Sequence, residues 1–160
     1  MCSSDLWAAV LDLQVASREP GHTEADYREF VTGRMEDRRT RFRAGDGAWF
    51  VAQRPDGTVA SSCGVVVTHG RCRYQAVDTH PDHRRLGIAT RLVHDAGRSA
   101  LDRFGAQHLV IGALADYHAL PLYESLGFVP RDRNLAVSWW RSAPDAARHP
   151  RVGALATTVD

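Results

Sequence analysis

The stretch Asp78 to Arg91, DTHPDHRRLGIATR, has the residue types and spacing to hold an anion. Pro81 favours an extended residue before it, Arg84-Arg85-Leu86-Gly87-Ile88-Ala89 makes a bend, and helical spacing begins at Ile88. The first backbone N–H groups of a helix have no partner inside it, and they sit at the positive end of the helix dipole. Gly87 and Ala89 keep side chains out of a ligand's way, so the bend from Arg84 to Thr90 suits a diphosphate.

A second segment lies downstream, Leu122-Tyr123-Glu124-Ser125-Leu126-Gly127-Phe128. Arg84-x-x-Gly87-x-Ala89 after an apolar strand, followed at this distance by LYESLGF, resembles the GNAT superfamily of acetyl-CoA-dependent N-acyltransferases. The resemblance covers residues 48 to 140 well and the N-terminal part in outline. It implies acetyl-CoA as co-substrate, a primary amine as acceptor, and direct attack of that amine on the thioester. It places the diphosphate on Arg84, Arg85, Leu86, Gly87, Ile88, Ala89 and Thr90. The backbone of Val77, Asp78 and Thr79 is expected to pair with the pantetheine arm. Asp116 stands where the family often carries an Asn that contacts the cofactor; it equally suits the N-cap of a helix from Tyr117 to Leu126.

Acyl transfer needs a neutral amine, a stabilised oxyanion and a protonated leaving thiolate. The resemblance gives the last task to Tyr123, whose phenol keeps its proton at neutral pH because such pKa values lie near 10. Spacing alone favours a core tyrosine flanked by Leu120 and Leu126; the LYESLGF context reverses that in favour of the catalytic role. For a general base, Asp78 is the first candidate, on the cofactor strand. Glu24, Glu29, His80 and His118 are others, and deprotonation through ordered water needs none of them. A backbone N–H of residues 77 to 79 would serve the oxyanion. A degenerate relative that binds acyl-CoA as a sensor without turning it over is the alternative.

Composition narrows the field. The 160 residues are 44% hydrophobic, enough for one globular domain with a real core, expected over residues 1–141 with a tail at 142–160. No apolar run approaches the roughly 20 residues that span a bilayer, and Met1-Cys2-Ser3-Ser4-Asp5 lacks the regions of a signal peptide. Three cysteines, Cys2, Cys63 and Cys72, suit reduced thiols, so a cytoplasmic protein is expected. Every Lys/Arg position is arginine, which excludes the Walker lysine of a P-loop. Arg34, Arg38, Arg39, Arg41 and Arg43 invite a nucleic-acid reading. Glu29, Glu36 and Asp37 interleave with them and the net charge is only +1, so a salt-bridged, solvated face is expected and no nucleic-acid partner. His80-x-x-His83 with Cys63 or Cys72 matches no common zinc module, so no metal is expected.

The elements that must position these residues follow in order. Leu6, Ala9, Val10 and Leu13 predict a first helix over 5–17, ended by Arg18-Glu19-Pro20-Gly21. Thr23 with Asp26 three residues on opens a second, to about Arg43. Residues 49–53 and 59–67 flank Pro55-Asp56-Gly57 as a hairpin, with Gly64 marking a bulge or a close approach. Cys72 to Thr79 is the strand before the bend, and Ile88 to Phe104 a helix stopped by Gly105. His108 to Leu114 predicts a buried strand, and 128–130 with 135–140 a final hairpin. Trp139, Trp140 and the tail suit either a homodimer contact or, for one tryptophan, the core. The order predicts an α/β fold, a single α/β/α layer sandwich on a mixed sheet that the resemblance expects to be splayed.

Overall fold

The computed structural model describes residues 4–18, 21–113, 119–137 and 152–158. By its internal contacts the chain forms two compact units, Met1–Leu109 and Val110–Asp160.

The first unit opens with helices α1 (Ser4–Ala16) and α2 (Glu24–Arg43). α2 starts as the sequence predicts: Thr23 Oγ1 accepts a hydrogen bond from the Asp26 N–H at 3.2 Å and donates to the Asp26 carboxylate at 2.8 Å. Strands β1 (Gly47–Gln53) and β2 (Val59–Thr68) are joined by the predicted turn. There Gly57 N–H reaches the Arg54 carbonyl at 2.9 Å, and Asp56 accepts from Thr58 N–H at 2.9 Å. β3 (Arg71–Thr79) pairs antiparallel with β2, and α3 (Ile88–Phe104) carries the chain over to β4 (His108–Val110). The strand order is β1-β2-β3-β4, a mixed, open sheet flanked by helices.

The two faces of this sheet are packed differently. Towards α1 and α2, Val10, Met35 and Trp49 form a core with Trp7, Leu11, Phe42, Val51 and Ala76 against it. Trp7, Phe42 and Trp49 meet with ring centroids 5.9 to 6.3 Å apart. Towards α3, the fully buried Cys63, Val65 and Cys72 pack with Tyr74, whose hydroxyl donates to the Val93 carbonyl at 2.8 Å. Gly97 makes that approach possible, since a Cβ there would collide with the Tyr74 hydroxyl. α3 ends on Gly105 in the left-handed region, φ 67°, as predicted.

β4 is shorter than the expected His108–Leu114. Its ladder ends at Val110, before Gly112, which has no side chain to pack on a neighbour, and Leu114 lies outside the described residues. Since β3 has nine residues and β4 three, pairing to β4 leaves part of β3 uncovered, in keeping with a splayed sheet.

The second unit holds α4 (Leu120–Ser125) and the antiparallel pair β5 (Asp132–Val137) and β6 (Val152–Thr158). Here the structure differs from the sequence reading. Residues 128–130 are not a strand, in line with the missing N–H of Pro130, and β5 takes its partner from the supposed tail, with Val137 opposite Val152. Trp139 and Trp140 lie outside the described residues. No helix among the described residues is long and apolar enough to cross a membrane.

Candidate active site

The bend after β3 is an ordered series of turns. Pro81–His83 make one turn of 3-10 helix, capped by His80, whose Nδ1 accepts from the Asp82 N–H at 3.3 Å. Arg84 returns to an extended conformation, and its Nε–H donates to the Thr79 carbonyl at 3.3 Å. Arg85 and Gly87 then both adopt the left-handed region, φ 61° and 73°. Glycine holds such a φ without strain; at Arg85 the same conformation costs energy.

Gly87 is the N-cap of α3, and no side chain caps the helix. The Arg91 N–H bonds to the Gly87 carbonyl at 3.1 Å, so the N–H groups of Ile88, Ala89 and Thr90 precede the intrahelical ladder. A Cβ built on Gly87 would meet nothing within 4 Å, so the approach is open. The predicted Arg84 to Thr90 segment therefore has the form of an anion cradle.

The strand leading in is bulged. Ser62 pairs with Asp78 and Gly64 with Gln75, so one intervening residue of β2 faces two of β3, and Ala76 takes φ 41°. The irregularity predicted near Gly64 is present, but the extra residue belongs to β3. Gly64 is also a close approach, because a Cβ there would lie 2.5 Å from the Trp49 ring. The end of β3 is tied down by Ser61, whose hydroxyl donates to the Asp78 carbonyl at 2.7 Å and lies 3.0 Å from Thr79 Oγ1. Ser17 Oγ adds a bond to the Thr79 carbonyl at 3.3 Å. These contacts, with the Arg84 bond, fix Val77, Asp78 and Thr79 against the start of the bend.

Burial pushes the Asp78 carboxyl up to about 6, against the opposing pull of Arg38, Arg84 and Arg34. Arg38 is itself buried, 7% exposed, and stacks 5.3 Å over the Trp49 ring with Nη1 on Met35 Sδ at 3.5 Å. Desolvation, then repulsion from Arg34, lowers its pKa to about 10, while Asp78 raises it. The sequence reading placed Arg38 among solvated arginines. The signal it needed was the spacing Val31, Met35, Arg38, which puts the arginine on the buried side of α2. Of the other arginines expected on a salt-bridged face, Arg39 and Arg43 pair with Glu36 (3.4 and 3.9 Å), while Arg34 and Arg41 are exposed without a contact ion pair among the described residues; Arg28 of the same helix pairs with Asp12 (2.7 Å) and Glu24 (3.4 Å).

Of the remaining base candidates, Glu24 is engaged by Arg28, Glu29 is exposed, His80 caps the 3-10 turn, and His118 lies outside the described residues. Asp116 does too. α4 begins at Leu120 with Ala119 as its N-cap, so the capping position proposed for Asp116 falls to another residue. Tyr123 is in the second unit, 5% exposed, with its ring edge-on to Phe128 at 6.2 Å. Cys63 and Cys72 are free, and burial raises their thiols to about 12 and about 11. Among the described residues, no three His, Cys, Asp or Glu side chains gather as metal ligands.

Comparison with known proteins agrees with this geometry. The family model of the acetyltransferase (GNAT) domain matches residues 45–130, more than half of the chain. No curated protein matches in sequence. Among solved structures, the ribosomal-protein-alanine N-acetyltransferase of Brucella melitensis superposes with a TM-score of 0.71 at 18% identity, covering 100% of this chain and 96% of that one. The PaiA N-acetyltransferase of Thermoplasma acidophilum, solved with coenzyme A, gives 0.71 at 13% identity, covering 83% and 89%. The spermidine N-acetyltransferase of Vibrio cholerae, solved with CoA and spermine, gives 0.66 at 14% identity, covering 99% and 90%.

Proposed function

This chain belongs to the GNAT family of acetyltransferases, for which acetyl-CoA is the typical co-substrate, and from that premise we propose that it transfers an acetyl group to a primary amine by direct attack. The observation that carries the reading is the uncapped start of α3 behind the bulged end of β3, inside the matched region. The N–H groups of Ile88 to Thr90, with Gly87 keeping the approach clear, hold the diphosphate; Arg84 and Arg85 add positive charge beside it. Val77 to Thr79 line the pantetheine arm, and Asp116 contributes a contact to the cofactor.

The chemistry divides among few groups. Asp78, with its pKa near 6, is ionised at neutral pH yet basic enough to accept a proton from the incoming amine. The amine nitrogen attacks the thioester carbon, a C–N bond forms, and a backbone N–H of residues 77 to 79 stabilises the oxyanion. Collapse breaks the C–S bond, and the phenol of Tyr123 protonates the leaving sulfur; the proton taken by Asp78 returns to the phenolate through solvent. The products are an acetylated amine and CoA. The single domain, the cytoplasmic location and a homodimer belong to the same reading, supported for location by the two free, buried thiols.

Calorimetry with CoA and thiol release from acetyl-CoA against a panel of amines test it. Binding together with amine-dependent release is expected. Binding with no release from any amine favours a sensor, and no binding at all overturns the reading.

A further inference from the structure

The face of the sheet under α1 and α2 carries more positive charge than Asp78 needs. Cross-strand pairing puts Val51, Ser62 and Asp78 in one row, on the face of the sheet that also carries Trp49 and is covered by α1 and α2. Helix α2 presents to this face the side that buries Val31 and Met35. Arg34 and Arg38 lie one turn apart on that side, three residues beyond each of those apolar anchors. Arg38 is stacked over Trp49, and Arg34 lies 5.2 Å over the Phe30 ring and is exposed.

The α2 arginines differ in their partners, and the exposed Arg41 has no contact ion pair among the described residues. Arg28, Arg39 and Arg43 have carboxylates on the outer surface. Among the described residues, Arg34 and Arg38 have no contact ion pair, and the acidic group that both feel is Asp78. Arg84, the third cation acting on Asp78, is held to the Thr79 carbonyl at the bend, where the cofactor's diphosphate would balance it. Two guanidinium groups thus share one carboxylate. Across from Asp78, the fully buried Ser62 hydroxyl has no hydrogen-bond partner among the described residues, nor has the buried Trp49 Nε1. Positive charge in excess of carboxylates on this face favours an anionic group there.

We propose that the acceptor is an amine that also bears a carboxylate: Asp78 takes the amine end and Arg34, exposed on α2, takes the acid end. Arg38 holds the field behind them. A polyamine is disfavoured, since its second cation would meet Arg34 and Arg38. This inference rests on the acetyl-transfer reading and goes beyond it by naming the acceptor's class.

The test is thiol release with amino acids, each beside its own amide, together with spermidine and an aminoglycoside, for the wild type, Arg34→Gln and Arg34→Lys. One charge-assisted bond to a carboxylate is worth about tenfold or more in kcat/KM. The best amino acid should therefore exceed its amide by about that factor, the ratio should fall towards one in Arg34→Gln, and Arg34→Lys should keep part of it. A wild type indifferent to the carboxylate, a preference that survives Arg34→Gln, or a loss in that variant confined to acetyl-CoA affinity would overturn the assignment while leaving acetyl transfer intact. No release with any amine would overturn acetyl transfer, and this assignment with it.

Discussion

Two helices of the first unit begin in opposite ways. α2 begins on Thr23, whose side chain takes the Asp26 N–H, with Glu24 and Asp26 adding negative charge at the dipole's positive end. Its free donors are met from within the chain, and the result is a more stable helix. α3 begins on Gly87, which offers no side chain, with no acidic residue in the first turn. Its donors and its dipole are left for something else, and the residue before the bend's glycine, Leu86, stands 63% exposed. A helix start without a cap of its own gives up some stability, and the diphosphate proposed for it would supply the missing acceptors.

The contrast can be broken at several points. The largest effect is expected from Gly87→Glu, which places a carboxylate where the diphosphate would sit and weakens CoA by about 10²-fold or more. Because Gly87 has φ 73°, any side chain there also strains the backbone, so Gly87→Ala is the control: it should cost about 1 kcal/mol of stability and weaken CoA far less. Equal losses of affinity in the two variants, read by calorimetry, would make the glycine a matter of backbone alone.

Next in size, Tyr123→Phe should lower turnover by about 10²-fold with CoA affinity kept, as the proposed division between a binding α3 start and a proton-donating phenol requires. Unchanged turnover would remove Tyr123 from the mechanism. The pH dependence is gentler. Asp78 has its pKa raised to about 6, so as a base it is active above that value and lost below it; kcat/KM should fall about tenfold per pH unit under pH 6, and Asp78→Asn should abolish that limb. Stability runs the other way: a carboxyl more easily protonated when folded loses stabilisation as pH rises from about 4 to about 6.

The smallest effect belongs to the other helix. Thr23→Ala should cost about 1 kcal/mol in denaturant unfolding and leave CoA affinity alone. Loss of CoA binding in that variant would mean that the two helix starts are not separate in role.

What could be read from the sequence was local. The Thr23/Asp26 cap, the Pro55-Asp56-Gly57 turn, the Gly87 bend and the Gly105 stop each depend on a few adjacent residues, and each is in place. What escaped depends on partners far along the chain. Ala76 has nothing in its type to announce φ 41°; the bulge comes from the register between β2 and β3. Arg38 reads as one more charge on a polar helix until Trp49 and Met35 close over it. β6 has no apolar period of its own and gains its strand form by pairing with β5. The bend and the uncapped start of α3 were therefore legible, and the charged surroundings of Asp78 were not.

Backbone amide shifts on titration with CoA test the central claim most directly. The account predicts the largest changes at Gly87 to Arg91 and none at Glu24 to Tyr27, the equivalent turn of α2. A cofactor that binds while the amides of Ile88, Ala89 and Thr90 stay where they were would contradict it.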